Sequence, residues 1–465
     1  MTPGQVRLGL RENRAQFGLL VAVNAFVGAM VGLERSTLPL IGRDDFGLSS
    51  SAAVLSFIAA FGLAKAFANL GAGAYATRIG RRRLLIAGWA LALPVPLLIA
   101  LAPSWSWVVA ANVLLGVNQG LAWSMTVVMK IDLVGPRRRG FALGLNEAAG
   151  YGGVALAAAA AGWLAADVAA RDVLVAAGAG IAVVALFVSV VFVRDTAAHV
   201  ALEQSRDRAG AAAAPPSMRD AFAQASWRSP ALRSASQAGL ANNLNDALAW
   251  GLVPLYLAAH GAAPGQIGLV AGLYPAVWGI GQIWTGHWSD RAGRKPLIVG
   301  GMLLQAAALL VLAASAGAVV AAAVAAVLLG AGTALVYPTL IAAISDAVTP
   351  VARAAMVGVY RFWRDMGYVA GALVAGVVAD ALGFGGAIAV VAAITAASGL
   401  WVAIDMPARP RVAEGADPPG DGRGQPPRNA SASQLPLTAG STLASTSSGP
   451  SGSAAHAPTG RRSAR

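Results

Sequence analysis

The sequence predicts an all-α polytopic membrane protein with twelve transmembrane helices in two pseudo-symmetric six-helix bundles. Three observations lead to this prediction. Of the 465 residues, 57% are hydrophobic and 12% are charged, whereas a soluble globular protein carries about 25% charged residues. Apolar runs of about 18 residues or more recur along the chain, each long enough to cross a bilayer. A ten-residue basic pattern starts at Gly73 and again at Gly286, and each copy lies between two apolar runs.

The apolar runs define the spans, and helices are expected in them because lipid offers no partners to open backbone groups. The chain then divides into a six-helix bundle at 1–194, a cytoplasmic interdomain loop at 195–231, a second bundle at 232–406 and a tail at 407–465. The tail is rich in Pro, Gly, Ser and Ala and is predicted to be disordered. The predicted spans are 17–40, 50–72, 84–102, 106–130, 141–164, 173–193, 233–258, 265–288, 296–316, 318–342, 355–380 and 383–404.

Basic residues indicate the orientation of the spans, because cytoplasmic loops carry an excess of Lys and Arg. The loops on one side hold many arginines, whereas the other side holds Arg43 and Arg171 beside acidic neighbours. Both termini are therefore expected in the cytoplasm, and the protein in the plasma membrane, the inner membrane of a bacterium. The net charge of +13 comes from these loops and the tail, and it does not indicate a nucleic-acid partner.

A duplication extends beyond the basic pattern. Short matches between the two halves occur in corresponding spans and in the loops that follow them. Two related six-helix halves predict a transporter architecture in which the substrate binds near the midplane, between the halves. The matches are Val113-Leu-Leu-Gly116 with Val327-Leu-Leu-Gly330, Asp132 with Asp346, Pro136 with Pro350, and Gly150-Tyr151 with Gly367-Tyr368.

The basic pattern resembles the loop signature of the major facilitator superfamily, G-x-x-x-D-R-x-G-R-R/K, found between helices 2 and 3 and again between helices 8 and 9. The first copy reads Gly73-Ala-Tyr-Ala-Thr77-Arg78-Ile-Gly80-Arg81-Arg82, and the second reads Gly286-His-Trp-Ser-Asp290-Arg291-Ala-Gly293-Arg294-Lys295. The resemblance covers about 17–404. It implies the facilitator fold and secondary transport.

The same resemblance implies a gate at the cytoplasmic ends of the helices. In the family, the aspartate of the signature anchors neighbouring helix ends while the transporter faces outward. Thr77 stands where the first copy should have aspartate, so we expect a weaker lock in the first half. The alternative is that these arginines fix topology alone. The implied gating residues are Gly73, Arg78, Gly80, Arg81, Asp132, Gly286, Asp290, Arg291, Gly293, Arg294 and Asp346.

Two patterns of the proton-coupled drug antiporters of this family are missing. Those proteins carry an arginine in span 4, four residues before a glycine, and Asn112 occupies that place before Gly116. They also carry G-P-x-x-G-G in span 5, where this chain has Gly150-Tyr151-Gly152-Gly153 without the proline. Both departures argue against the standard antiporter mechanism.

Ionisable residues inside spans are costly unless paired or hydrated, so each is a candidate for handling protons or substrate. Lys65 and Asp365 lie at similar depth, roughly 10–15 Å from the cytoplasmic ends of their helices. Helices 2 and 11 share a seam in the facilitator fold, so we expect a cross-seam pair, either a latch or a permanent structural pair. The whole candidate set is Glu34, Lys65, Glu147, Asn242, Asn243, Asn245, Asp246, Arg361, Arg364 and Asp365.

Glu147 and Asp246 are the candidates for carrying a proton, because an apolar environment favours the protonated carboxyl group. Arg361 and Arg364 share a helix face, where they either bind an anionic group of the substrate or neutralise the two acids. The asparagines Asn242, Asn243 and Asn245 cannot all face the same way. Some midplane aromatic residues are expected to line a cavity and the others to pack helices: Trp123, Tyr274, Trp278, Trp284, Tyr360 and Trp363.

The predicted function is secondary active transport of a small organic solute by alternating access, coupled to protons and directed outward. The outward direction is inferred from the resemblance to the family, in which export is common. Import or uniport of a metabolite is the first alternative, and a non-transporting sensor or scaffold is the second, which the buried charges argue against. The chain has no Cys and no phosphate-loop or hydrolase pattern, so no enzyme, cofactor or metal site is expected. The expected partners are a small solute, protons and the lipid bilayer, with the protein as a monomer.

Overall fold

The computed structural model describes residues 6–134, 139–206, 216–348 and 352–408. Side chains at 73, 74, 77, 139–143, 204–206, 286, 287, 290, 353 and 354 also lie outside the described part. Residues Met1–Ala413 form one compact unit. The predicted tail from residue 409 onward lies outside the described residues, as does the second unit, Glu414–Arg465.

The described residues are helical nearly throughout and contain no strand. Nine stretches among them are long and apolar enough to cross a membrane by length and composition. The all-α membrane fold is thus confirmed. The helices are α1 Arg14–Asp44, α2 Ser51–Ile79, α3 Arg81–Ala92, α4 Pro94–Ala100, α5 Trp105–Val134, α6 Arg139–Leu164, α7 Ala170–Val191, α8 Ala197–Arg206, α9 Met218–Ala223, α10 Pro230–Ala247, α11 Val253–Ala259, α12 Pro264–Ala292, α13 Arg294–Ala314, α14 Val319–Asp346 and α15 Arg353–Asp405.

Several predicted spans differ in detail from the helices. The third span is split into α3 and α4 ahead of Pro94, which has no N–H for the helix ladder. The seventh span consists of α10, a π-helical turn at Leu248–Leu252 and α11. The last two spans are the two arms of α15, which meet at Gly383 with φ 76° and ψ 173°.

The predicted interdomain loop is partly helical. It contains α8, α9 and a π-helical turn at Gln224–Arg228. The hydroxyl of Ser217 accepts a hydrogen bond from the backbone N–H of Asp220 at 3.1 Å, which caps the first turn of α9. A polar composition therefore did not exclude short helices here, because local capping satisfies their free backbone groups.

Two helix pairs form the seams between the halves, and the one between the second and eleventh spans was expected. The first half packs α6 against α12 of the second half, and α2 packs against α15. Along the first seam a Cβ added to Gly162 would lie 2.5 Å from the Cα of Gly268. Small residues of this kind allow two helix backbones to approach closely in a membrane protein.

The side opposite the basic loops is closed along both seams. Gly162 and Gly268 close the α6–α12 seam there. On the other seam, Asp380 of α15 accepts hydrogen bonds from the Ser51 N–H at 2.6 Å and from the Ser50 hydroxyl at 2.6 Å. This carboxylate caps the N-terminus of α2, where negative charge is stabilised. Both helix pairs are therefore in contact on that side in this conformation.

Candidate functional site

A small polar cavity lies between the halves, near the middle of the bundle. Its free volume is about 20 Å³, enough for a water molecule and too little for an organic solute. Three cationic side chains contribute to its wall, and none of the described residues that line it is a carboxylate. The lining residues are Lys65, Asn69, Trp123, Ser124, Tyr151, Tyr337, Arg361 and Arg364.

Lys65 of α2 and Asp365 of α15 form an ion pair across the second seam. Lys65 Nζ lies 3.4 Å from Asp365 Oδ1, and the Asp365 side chain is 1% exposed. Asn69, one turn further along α2, donates a hydrogen bond to Asp365 Oδ2 and accepts one from Ser124 at 2.7 Å. The pair predicted from helix depth is thus present, and it ties α2 to the other half.

Arg364 contacts both halves through neutral groups. Its Nε donates to Asn243 Oδ1 at 3.1 Å, its Nη1 to the Tyr337 hydroxyl at 3.1 Å and its Nη2 to the Tyr151 hydroxyl at 2.9 Å. Tyr151 lies in α6 of the first half. Among the described residues Arg364 has no carboxylate within ion-pair distance, so it is not neutralised by direct pairing with Glu147 or Asp246. Arg361, on the same helix face, is half-buried at the wall of the cavity.

Asp246 is fully buried and is held by tyrosines of its own half. The Tyr274 hydroxyl donates to Oδ1, and the Tyr368 hydroxyl lies 3.4 Å from Oδ2. Tyr274 in turn contacts the Thr333 hydroxyl at 3.2 Å. A carboxyl group set among hydroxyls that can both donate and accept is suited to a change of protonation without loss of its partners.

Glu147 occupies a different environment in the first half. Its Oε1 accepts hydrogen bonds from Trp123 Nε1 at 3.0 Å and from Asn146 Nδ2 at 3.1 Å. Its Oε2 is buried without a hydrogen-bond partner among the described residues. The two candidate proton carriers are therefore both buried, and one of them is incompletely hydrogen-bonded.

The three asparagines of α10 divide between two faces. Asn245 donates to Gln305 of α13 at 2.8 Å, and Asn242 accepts from the same glutamine at 3.1 Å. These two residues serve the interior of the second half, away from the cavity wall. Asn243 and Asp246, three residues apart, lie on the face that meets Arg364 and the tyrosines.

Glu34 and Arg35 of α1 are buried outside the cavity wall. Glu34 lies near Asn112 of α5. The Arg35 guanidinium makes no hydrogen bond to the described residues and instead rests against the rings of Phe61 at 4.5 Å, Phe57 at 5.1 Å and Trp250 at 5.9 Å. Cation–π contacts of this kind offset part of the cost of burying the charge.

The predicted aromatic residues fall into two groups. Trp123 lines the cavity, and Tyr274 and Trp278 belong to a buried ring cluster whose closest pair is Tyr151 and Trp278, with ring centroids 3.6 Å apart. The others lie elsewhere. Tyr360 is buried in the second half, Trp284 is 63% exposed, and Trp363 donates to Ser226 next to the interdomain connection.

The basic loops contain a matched ion pair in each half. Arg81 Nε lies 3.5 Å from Asp132 Oδ2, and Arg294 Nε lies 2.9 Å from Asp346 Oδ2. Gly80 and Gly293 join the helices there with φ of 96° and 87°, values that side chains rarely tolerate. Of the remaining pattern arginines, Arg78 and Arg291 are exposed and Arg82 is half-buried. The side chains of Thr77 and Asp290, and positions Gly73 and Gly286, lie outside the described part.

Two features of the site were missed in the sequence. Lys130 is fully buried at the basic end of α5, and its Nζ donates to the Leu20 carbonyl at 3.1 Å. It ends a predicted span, where a lysine normally extends to the interface. Tyr337 was not singled out because nothing in a single apolar helix marks one tyrosine as facing a cation. No group of three metal-ligating side chains occurs among the described residues.

Comparison with known families places the chain among membrane transporters. The family model described as Major Facilitator Superfamily matches the chain twice, over residues 17–239 and 235–447. The first match covers the first half and the interdomain connection, and the second covers the second half and part of the predicted tail. No curated protein matches the chain.

Proposed function

The chain belongs to the major facilitator superfamily and is a membrane transporter, and we propose that it moves a small organic solute by proton-coupled alternating access. The observation that carries this proposal is the fully buried Asp246, held by two tyrosine hydroxyls. Membrane proteins retain buried ionisable groups at high cost where they move ions or substrates. Asp246 lies on the second half, next to the groups that join the halves, so a change in its charge can bias how they pack.

The conformation supports the alternating-access part of the proposal. The side opposite the basic loops is closed by the glycine contact on one seam and by Asp380 on the other. The ion pairs Arg81–Asp132 and Arg294–Asp346 lie at the other end of the bundle. We assign these to the cytoplasmic gate and place the basic side in the cytoplasm of a bacterial inner membrane.

We propose export as the direction, following the habit of the family. Import together with a proton is a second candidate, favoured by a specific observation: among the described residues, the cavity wall carries Lys65, which is paired with Asp365, and two further cations, but no carboxylate. An anionic solute would bind to such a wall more readily when a nearby acid is protonated and therefore uncharged. The solute and the proton would then bind together, as cotransport requires. The missing antiporter patterns around Asn112 and Gly150 argue in the same direction.

The test is growth of a transporter-deficient bacterial host on a panel of toxic compounds at matched expression. The wild type is compared with Asp246→Asn and with Asp172→Asn, which changes an exposed carboxylate at the start of α7. Resistance that is lost in Asp246→Asn and kept in Asp172→Asn supports proton-coupled export. Resistance that survives Asp246→Asn contradicts the proposed role of this carboxyl group.

A panel without any resistance contradicts export of those compounds and moves the test to uptake of labelled metabolites. There, uptake that a protonophore abolishes and that Asp246→Asn lacks supports proton-coupled import. Uptake that is insensitive to both contradicts proton coupling.

A further inference from the structure

We propose that the central cavity binds the carboxylate group of a small organic monoanion, with Arg364 as the principal contact and Arg361 as the second. This inference rests on the proposed transport function and adds the chemical class of the solute. It follows from the charges and hydrogen bonds around the cavity, and from the aromatic rings beside it.

The first step is the charge of the cavity wall. Lys65 is paired with Asp365 at 3.4 Å. Neither Arg361 nor Arg364 has a carboxylate within ion-pair distance among the described residues. A guanidinium cannot lose its proton in a protein, so both charges persist. Arg364 is buried and donates its hydrogen bonds to neutral groups, so an anionic ligand would supply the directly paired counter-ion that a buried charge favours.

The second step is hydrogen-bond geometry. Arg364 uses three of its N–H groups on Asn243, Tyr337 and Tyr151, and a guanidinium has five. Two donors are left for a ligand. The hydroxyls of Tyr151 and Tyr337 accept from Arg364, so their own O–H groups are free to donate. Together these donors match the planar, bidentate acceptor that a carboxylate presents.

The third step concerns the rest of the ligand. Trp123 and Tyr151 form one side of the cavity, with ring centroids 5.2 Å apart, and Trp278 stacks on Tyr151. The cavity holds no more than water in this conformation, so a ligand enters by separating these rings. If the ligand has a planar or apolar body, that body can pack against the separated rings and so replace the contacts that the rings made with one another. The solute class is therefore a monocarboxylate with an aromatic or compact apolar body.

The test compares acids with their uncharged amides on the full-length protein purified in detergent. Matched pairs are benzoate and benzamide, indole-3-acetate and indole-3-acetamide, cinnamate and cinnamamide, and cyclohexanecarboxylate and its amide. Affinities are measured by isothermal titration calorimetry. We expect at least one acid to bind about tenfold or more tightly than its amide, the effect of one charge-assisted hydrogen-bonded contact.

Variants locate the preference. Arg364→Gln should reduce the acid-to-amide ratio to near one. Arg171→Gln is the matched control, since Arg171 likewise donates several hydrogen bonds, to the carbonyls of Ile99, Ala100 and Ala102, and lies outside the cavity. It should leave the ratio unchanged. If Arg364→Gln fails to fold, Arg361→Gln replaces it, because this half-buried side chain can be removed at a smaller cost in stability. The variant lacks the second contact to the carboxylate and should lower the acid-to-amide ratio severalfold.

Acids that bind no more tightly than their amides across the panel overturn the inference, as does a preference that survives loss of both arginines. Binding needs no proton gradient, so this result is separate from the proposed function. If transport depends on Asp246 but no acid binds more tightly than its amide, the carboxylate site is refuted and proton-coupled transport is not. A chain that prefers acids but moves none refutes transport alone.

Discussion

The two halves of the bundle hold their buried carboxyl groups in different ways. In the second half both oxygens of Asp246 face tyrosine hydroxyls, which can donate or accept. In the first half Glu147 Oε1 receives two N–H donors, and Oε2 has no hydrogen-bond partner among the described residues. N–H groups can only donate, whereas hydroxyls can donate or accept, so the groups around Asp246 can hydrogen-bond either form of that acid. We therefore expect proton coupling to depend more on Asp246 than on Glu147.

The largest expected effect is at the ion pair that joins the halves. Asp365→Asn or Lys65→Met leaves the partner's charge buried, and removing one member of a buried pair costs about 3–5 kcal/mol. We expect a clear drop in melting temperature, followed through the chain's 12 tryptophans.

The control is the exchanged pair Lys65→Asp with Asp365→Lys, which should recover most of the stability. Recovery of stability with loss of transport identifies the pair as a latch whose orientation matters. Recovery of both identifies a structural pair. No recovery at all contradicts direct pairing between these residues.

Glu147→Gln sharpens the comparison of the two acids. The amide keeps an oxygen for Trp123 and Asn146 and adds a donor at the position that lacks a partner. We expect stability to stay within about 1 kcal/mol of the wild type and transport to fall less than in Asp246→Asn. Transport is measured in both variants by the same growth or uptake assay. If Glu147→Gln and Asp246→Asn lose the same amount of transport, the proposed difference between the two acids is contradicted.

The basic loops allow the stability of the two halves to be compared through one ion pair in each. The side chains of Arg81 and Asp132 are 10% and 11% exposed, whereas those of Arg294 and Asp346 are 20% and 42% exposed. Arg81→Gln should therefore destabilise by about 2–3 kcal/mol and Arg294→Gln by about 1 kcal/mol or less. Melting curves of the two variants compare them directly.

If Arg294→Gln destabilises the protein more than Arg81→Gln does, the copy of the signature with threonine in place of aspartate has the weaker lock. That is the expectation drawn from the sequence. The greater burial of Arg81 leads to the opposite prediction, so this pair of variants decides between the two.

Sequence patterns predicted much of the fold because lipid imposes long apolar runs and a basic bias on the loops. The pairing of Lys65 with Asp365 was also predictable, since depth along a helix follows from residue number and the family resemblance places helices 2 and 11 at one seam. The partners of Arg364 were not, because Tyr151 reaches it from the other half and Tyr337 from a neighbouring helix of its own half. The direction of the α10 asparagines depends in the same way on which neighbour each helix face meets.

Gly383 connects the last two membrane segments through a single residue with φ 76°, and Asp380, which holds the N-terminus of α2, lies three residues before it. Because a single residue joins the two arms of α15, we expect a movement of the first arm to be passed on to the second. Releasing Asp380 from α2 should therefore shift the final segment as well as the one it belongs to. A Cβ at Gly383 would meet nothing within 4 Å, so the joint is limited by backbone conformation rather than by space.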